Sequence, residues 1–263
     1  MAHVTRSFLE PRPVRTSEPA AAAALFLVHA EDLAGAWESA VPSVLSEQEQ
    51  TRAAQFHLRS DRDTYVAVHF ALRLVLGRVL DLPSTAVPLV RHVCPICGAA
   101  HGRPGVAGDP VHFSLSHSGG TGLVAIASTP VGVDLEAPAS DATVTLLSPR
   151  LHPAERAELS VLPESERRGA FARVWCRKEA YLKGIGTGLS RPLSSDYVGA
   201  TELPSAPPGW QITDVALDTS HLAALAVQSP GPQSVTSTDV VYGGLLRSSP
   251  FGVVERARGW RGA

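Results

Sequence analysis

The chain has 263 residues, 44% of them hydrophobic and 18% charged, with a formal net charge of -2. That composition supplies a sizeable core and excludes a disordered polyelectrolyte, while the length suits one large domain or two small ones. A sequence pI near 6.5 leaves no bulk field to attract nucleic acid or an anionic membrane, so an anionic ligand needs a local site. Three cysteines, Cys94, Cys97 and Cys176, are too few to staple a fold of this size, and their odd count fits a reducing, cytoplasmic setting. Of the 23 basic residues only Lys178 and Lys183 are lysines, and they stand close together. A lysine in an arginine-rich chain suggests a need for a compact point charge.

In chain order, residues 1–19 mix Pro, Arg, Ser and Glu and are expected to form a flexible leader. The apolar stretch Ala20 to Val28 falls far short of the roughly 20 residues that cross a bilayer. Arg6, Arg12 and Arg15 before it and Val28-His29-Ala30 after it imitate a secretory signal, but Glu10, Glu18 and prolines interrupt the leader. Leu25 to Val28 is therefore expected to be a first buried strand. Ser46 followed by Glu49 is a capping box that opens a helix, and Val66, Phe70, Leu72, Val75, Leu76 and Val79 mark a longer amphipathic one ending at Leu82-Pro83-Ser84. A loop is expected from His92 to Pro110, then strands at Val111–Ser116, Leu123–Ala127 and 131–136. Helical patterns follow at about 153–162 and 165–183, with strands at Tyr197–Ala200, Gln211–Leu217 and Leu222–Val227. From about Ser229 to 263 a Pro-, Gly-, Ser- and Thr-rich tail with an apolar run at Val240–Leu246 is expected to be partly ordered. Helices beside antiparallel strands make an α+β fold.

Four constellations carry chemistry. In Val131-Gly132-Val133-Asp134-Leu135-Glu136 the strand period puts Asp134 and Glu136 on one face and the apolar residues on the other. A hard oxygen pair at this spacing suits Mg2+ or Mn2+, and the same pattern also fits an edge strand with a wet face. Trp175, Glu179 and Lys183 follow each other at helical spacing; Glu179 can accept a proton while Lys183 holds an anion, and the pair also fits a plain helical ion bridge. Ser114 to Gly120 runs from a strand into a glycine-rich bend suited to phosphate. Ser116 and His117 are a poor nucleophile and base, because neighbours on a strand point to opposite faces. Cys94, Cys97 and His101 stand at zinc-ligand spacing with His92 as the obvious local fourth, and they fit equally a tight loop with two inert thiols.

Taken in order, Gly102-Arg103-Pro104, Ser116-His117-Ser118, Gly132 to Glu136 and Trp175 to Lys183 resemble the 4′-phosphopantetheinyl transferases of the surfactin-synthetase-activating type, over about residues 45–195. The resemblance implies two similar α+β halves, here 20–131 and 132–228, related by a pseudo-twofold axis with coenzyme A in the cleft between them, in a monomer. It implies attack by a serine of an apo acyl or peptidyl carrier protein on the pantetheine-side phosphorus of coenzyme A, releasing adenosine 3′,5′-bisphosphate. By position, Asp134, Glu136 and Glu155 match the metal ligands, Glu179 the group that deprotonates the serine and Lys183 a phosphate binder. Arg59, Arg103, Ser116 and His117 match contacts to the coenzyme, with His117 at its 3′-phosphate, and Trp175 matches a packing residue. Arg52, Arg59 and Arg62 are candidates by charge for an acidic carrier helix. A zinc-stabilised binding module and a pseudoenzyme that only docks carriers are the competing readings; the charge of -2 counts against the first and the intact motifs against the second.

Overall fold

A computed structural model describes residues 23–33, 40–217, 220–229 and 238–242; the expected leader and most of the expected tail lie outside the described residues. In chain order the elements are β1 (Ala23–His29), α1 (Val41–Val44), α2 (Glu47–Ala54), α3 (Arg59–Leu80), β2 (Leu89–Arg91), β3 (Pro104–Val106), β4 (His112–Ser118), β5 (Thr121–Ala127), β6 (Val131–Glu136), α4 (Asp141–Leu147), α5 (Pro153–Ser160), α6 (Glu164–Ile185), β7 (Trp210–Asp214), β8 (Leu222–Gln228) and β9 (Thr238–Tyr242). The result is a mixed α/β molecule with antiparallel sheets, as the sequence pattern leads one to expect.

One sheet has the order β4-β5-β1-β9, antiparallel except where β9 joins β1 in parallel. β9 falls in the segment expected to be partly ordered; the rest of the Val240–Leu246 run lies outside the described residues. α3 covers this sheet, packing Val68, Leu72, Val75 and Leu76 against Phe113, Val124 and Ile126. The capping box of α2 forms as expected, with Glu49 N donating to Ser46 Oγ (3.3 Å) and Ser46 N to Glu49 Oε2 (2.9 Å). Glu49 also receives Arg73 and lies 3.2 Å from His69 Nδ1, both on α3, so one carboxylate closes the helix start and ties two helices together. Burial alone would push its pKa up; hydrogen bonds from His69 and Ser46 and the charge of Arg73 outweigh that and hold it at about 2.

The second large sheet, β6-β8-β7, is antiparallel and carries α6. The strand period works as expected on β6: Val131, Val133 and Leu135 join Leu25, Leu27, Leu123 and Leu225 in a core shared by the two sheets. β4 and β6 lie side by side, joined by Val133 N donating to Ser114 Oγ (3.1 Å) and by Ser116 Oγ donating to Asp134 Oδ1 (2.9 Å). The functional residues gather along this seam.

Two expectations about elements are corrected. The expected loop from His92 to Pro110 contains β3, which pairs with β2 to form a small hairpin with the cysteine segment at its tip. Tyr197–Ala200 is apolar but is not a strand, because its backbone donors go to carboxylates of α5: Val198 N to Glu155 Oε1 (2.8 Å) and Ala200 N to Glu158 Oε2 (2.7 Å). Donors satisfied by side chains are not available to a sheet ladder.

Candidate active site

The site begins with a glycine. A Cβ on Gly132 would lie 1.9 Å from Ala180 O and 2.5 Å from Gly184 N, so only the absence of a side chain lets α6 settle onto this face of β6. That close approach delivers the residues one helical turn apart, Glu179 and Lys183, to the carboxylates of the strand. Lys183 Nζ donates to Asp134 Oδ1 (2.6 Å) and Ser116 Oγ (2.9 Å) and reaches Val133 O (3.2 Å). Asp134 is buried rather than wet, and its second oxygen, Oδ2, is buried without a hydrogen-bond partner.

Glu136 and Glu179 complete the charge group. Burial, then the Asp134 charge and that of Glu136, raise the Glu179 pKa to about 7 against the opposing pull of Lys183. Burial and Asp134 also raise Glu136, opposed by hydrogen bonding from the Trp175 side chain and by Lys183. Trp175 thus does more than pack. Three carboxylates crowd one ammonium, and two of them are pushed toward their neutral forms, which is what a half-buried cluster short of positive charge does. Hard oxygen donors, one of them a buried orphan, suit a divalent cation such as Mg2+ by type, although the three carboxylates do not bring their oxygens within 4.8 Å of one another and would have to close around it.

A family model described as the 4′-phosphopantetheinyl transferase superfamily matches residues 130–221, the segment that holds Asp134, Glu136, Glu179 and Lys183. The 4′-phosphopantetheinyl transferase HetI of Nostoc sp. is 30% identical over 199 residues, covering 73% of this chain and 81% of the relative. The chain belongs to the 4′-phosphopantetheinyl transferase superfamily. The transferase is also 24% identical to Sfp of Bacillus subtilis, over 74% of this chain and 87% of that one. It is 33% identical to AcpT of Salmonella typhimurium, over 61% of this chain and 77% of that one.

The remaining sequence-derived site residues of the transferase separate into those that reach this seam and those that do not. Ser116 is in it. His117 points to the other face of β4, as the strand period requires, and its ring reaches solvent. Desolvation by the surrounding protein and the charges of His69 and Lys183 hold its pKa below the ordinary imidazole value. Arg103 lies against Gly186 at the end of α6, within 3.0 Å of His112 Nδ1. Burial lowers the pKa of both Arg103 and His112. His112, unnoticed in the sequence, was within reach there: it shares the strand face of Ser114 and Ser116. Arg59 is highly exposed at the start of α3 and pairs with Asp63 at 3.3 Å.

Glu155 corrects the expected ligand set. Its side chain is fully buried; Oε1 accepts from Val198 N, and Oε2 takes His152 N (3.1 Å) and Lys178 Nζ (2.8 Å). Neither oxygen is left for a cation. The third acidic member of the cluster is Glu179 on α6. Neutralising one half of a buried ion pair strands the other charge. Glu155→Gln is therefore expected to cost about 3 kcal/mol in urea unfolding while leaving Mg2+ affinity, measured by calorimetry, unchanged. A metal-binding loss with full stability would restore Glu155 as a ligand.

Proposed function

We propose that the transferase moves 4′-phosphopantetheine from coenzyme A to a serine of an apo acyl or peptidyl carrier protein, releasing adenosine 3′,5′-bisphosphate, in a Mg2+-dependent reaction. The observation that carries the reading is the orphaned, buried Oδ2 of Asp134 beside Glu136, Glu179 and Lys183. Asp134, Glu136 and Glu179 would hold the cation, whose charge offsets that developing on the diphosphate as the bond to the leaving group breaks. A phosphoryl-type transfer asks little covalent chemistry of the protein, so placing groups and charges matters most.

Glu179, ordered by the packing of α6, accepts the serine proton directly or through one water. Lys183, whose three donors go to Asp134, Ser116 and Val133 O and which is still partly open to solvent, exchanges the longest of these bonds, that to Val133 O, for a diphosphate oxygen. His117 receives the 3′-phosphate; held below its ordinary pKa, it gains a proton as the dianion approaches. Arg103 contacts the diphosphate end from beside α6. Arg59 is 77% exposed in its side chain and, with Arg52 and Arg62, is better suited to the acidic helix of a carrier than to the coenzyme. In this reading 20–131 and 132–228 are similar halves about a pseudo-twofold axis, a layout supported by three antiparallel strands and one 22-residue helix in each, β9 from beyond both halves adding in parallel to the first. The protein works as a monomer in the cytoplasm, a setting that suits its odd count of three cysteines.

The test is direct. Incubation with coenzyme A, Mg2+ and apo carriers of the fatty-acid, polyketide and peptide types is expected to add one phosphopantetheinyl group to at least one of them, read by mass spectrometry, and chelation is expected to stop it. Unchanged mass on every carrier overturns the reading.

A further inference from the structure

The tip of the β2–β3 hairpin, away from the carboxylates, gathers a second set of ligand groups. Cys94 Sγ, Cys97 Sγ and a ring nitrogen of His101 all lie within 4.8 Å of one another, and Cys97 Sγ is 2.9 Å from His101 Nε2. The backbone is arranged to hold them so. Cys94 N donates to Ala99 O (2.7 Å) and Gly98 N to Cys94 O (2.8 Å), while Gly98 takes φ +72, a conformation that side-chain-bearing residues seldom adopt. The chain therefore doubles back directly after the second cysteine and carries His101 to it. Hydrogen bonding from the Cys97 and Ile96 backbone and, to a lesser degree, from the Ser190 hydroxyl holds the Cys94 thiol below its ordinary pKa. Cys94 is buried, whereas Cys97 and His101 are exposed, so an ion can enter from solvent.

We propose that this loop binds one Zn2+ through Cys94 Sγ, Cys97 Sγ and His101 Nε2, with water in the fourth position. Tetrahedral zinc with metal–sulfur bonds of about 2.3 Å and metal–nitrogen bonds of about 2.0 Å sets its ligand atoms roughly 3.5–3.8 Å apart, so the three groups need shift by only about 1 Å. Two thiolates neutralise the ion, and binding releases the two thiol protons to solvent. Thiolate and imidazole select zinc, whereas the all-oxygen carboxylate cluster selects Mg2+, so one chain keeps two metals apart by ligand softness. His92 lies outside the convergent group, which among the described residues comprises Cys94, Cys97 and His101, and its Nε2 is 3.1 Å from Asp109 Oδ1.

The ion would act as a staple. Cys94 meets Ser190 in the short turn Gly188–Ser190 that follows α6, and Arg103, two residues beyond His101, rests against Gly186. Zinc at the tip thus fixes the hairpin against the end of the helix that carries Glu179 and Lys183.

The full chain, purified without chelator from zinc-supplemented culture, is expected to carry one zinc by mass spectrometry of the elements. After exchange, Co2+ should show a sulfur-to-cobalt charge-transfer band with intense tetrahedral d–d absorption. Cys97→Ser and His101→Ala alter exposed side chains and should fold, yet lose zinc affinity by about tenfold or more. Chelation should lower the melting temperature of the parent but not of Cys97→Ser. Purified protein with under about 0.1 zinc per chain and no cobalt–thiolate band overturns the proposal, as does undiminished zinc in both variants or a Cys94–Cys97 disulfide in metal-free protein.

Discussion

Glu179→Gln is expected to lower the rate of phosphopantetheine transfer by about 10²–10⁴-fold, the range over which a positioned proton acceptor acts, while making the metal-free protein more stable. The two effects have one origin. In the folded, metal-free protein the Glu179 pKa is raised from 4.5 to about 7, so the native state binds its proton more tightly than the unfolded chain does. The stability this contributes is complete below about pH 4.5 and is lost as the pH rises through about 7. Above that, the ionised carboxylate beside Asp134 and Glu136 works against folding, on the order of 2 kcal/mol once partial exposure is allowed for. Gln keeps the shape and removes the charge. Calorimetry in chelator should find the variant's advantage growing between about pH 4.5 and 7 and absent below that window. Transfer at the parental rate would remove Glu179 from the chemistry; equal stabilities at about pH 8 would remove the charge cluster.

The carboxylate site was legible in the sequence because its two elements obey short-range periods. Alternation on β6 separates Val131, Val133 and Leu135 from Asp134 and Glu136, and the spacing of Trp175, Glu179 and Lys183 stacks them on one face of α6. Which carboxylates meet is a tertiary fact that no period carries. Glu155 occupies the third position of α5, where a carboxylate folding back on its own helix start looks the same in sequence as one facing a cation. Only the fold brings Lys178 and Val198 N to it. Tyr197–Ala200 has the apolar look of a strand for a related reason: its pairing partners turn out to be side chains of α5. The burial of Asp134 was equally hidden, since the residue that permits it is Gly132 two positions earlier, through what it lacks.

Gly132 therefore carries the largest stability effect expected of a single substitution here. The atoms that a new Cβ would strike are backbone, Ala180 O at 1.9 Å and Gly184 N at 2.5 Å, and a helix cannot move one carbonyl aside as a side chain changes rotamer. α6 as a whole must retreat, opening the core it shares through Phe171, Val174 and Leu182 and lengthening the 2.6 Å contact between Lys183 and Asp134. Gly132→Ala is expected to cost about 3 kcal/mol and Gly132→Val about 5 kcal/mol or more, most of the stability of an ordinary domain. Gly184→Ala is the internal control. Its new Cβ would meet chiefly the Trp210 ring, at 2.5 Å, and a side chain can rotate, so the loss should be about 1–2 kcal/mol. Urea unfolding of the three variants gives the ranking. Single-turnover transfer by the folded fraction should fall for Gly132→Ala in step with the displaced helix. A cost below about 1 kcal/mol for Gly132→Ala would mean that α6 does not need this contact to present its glutamate and lysine.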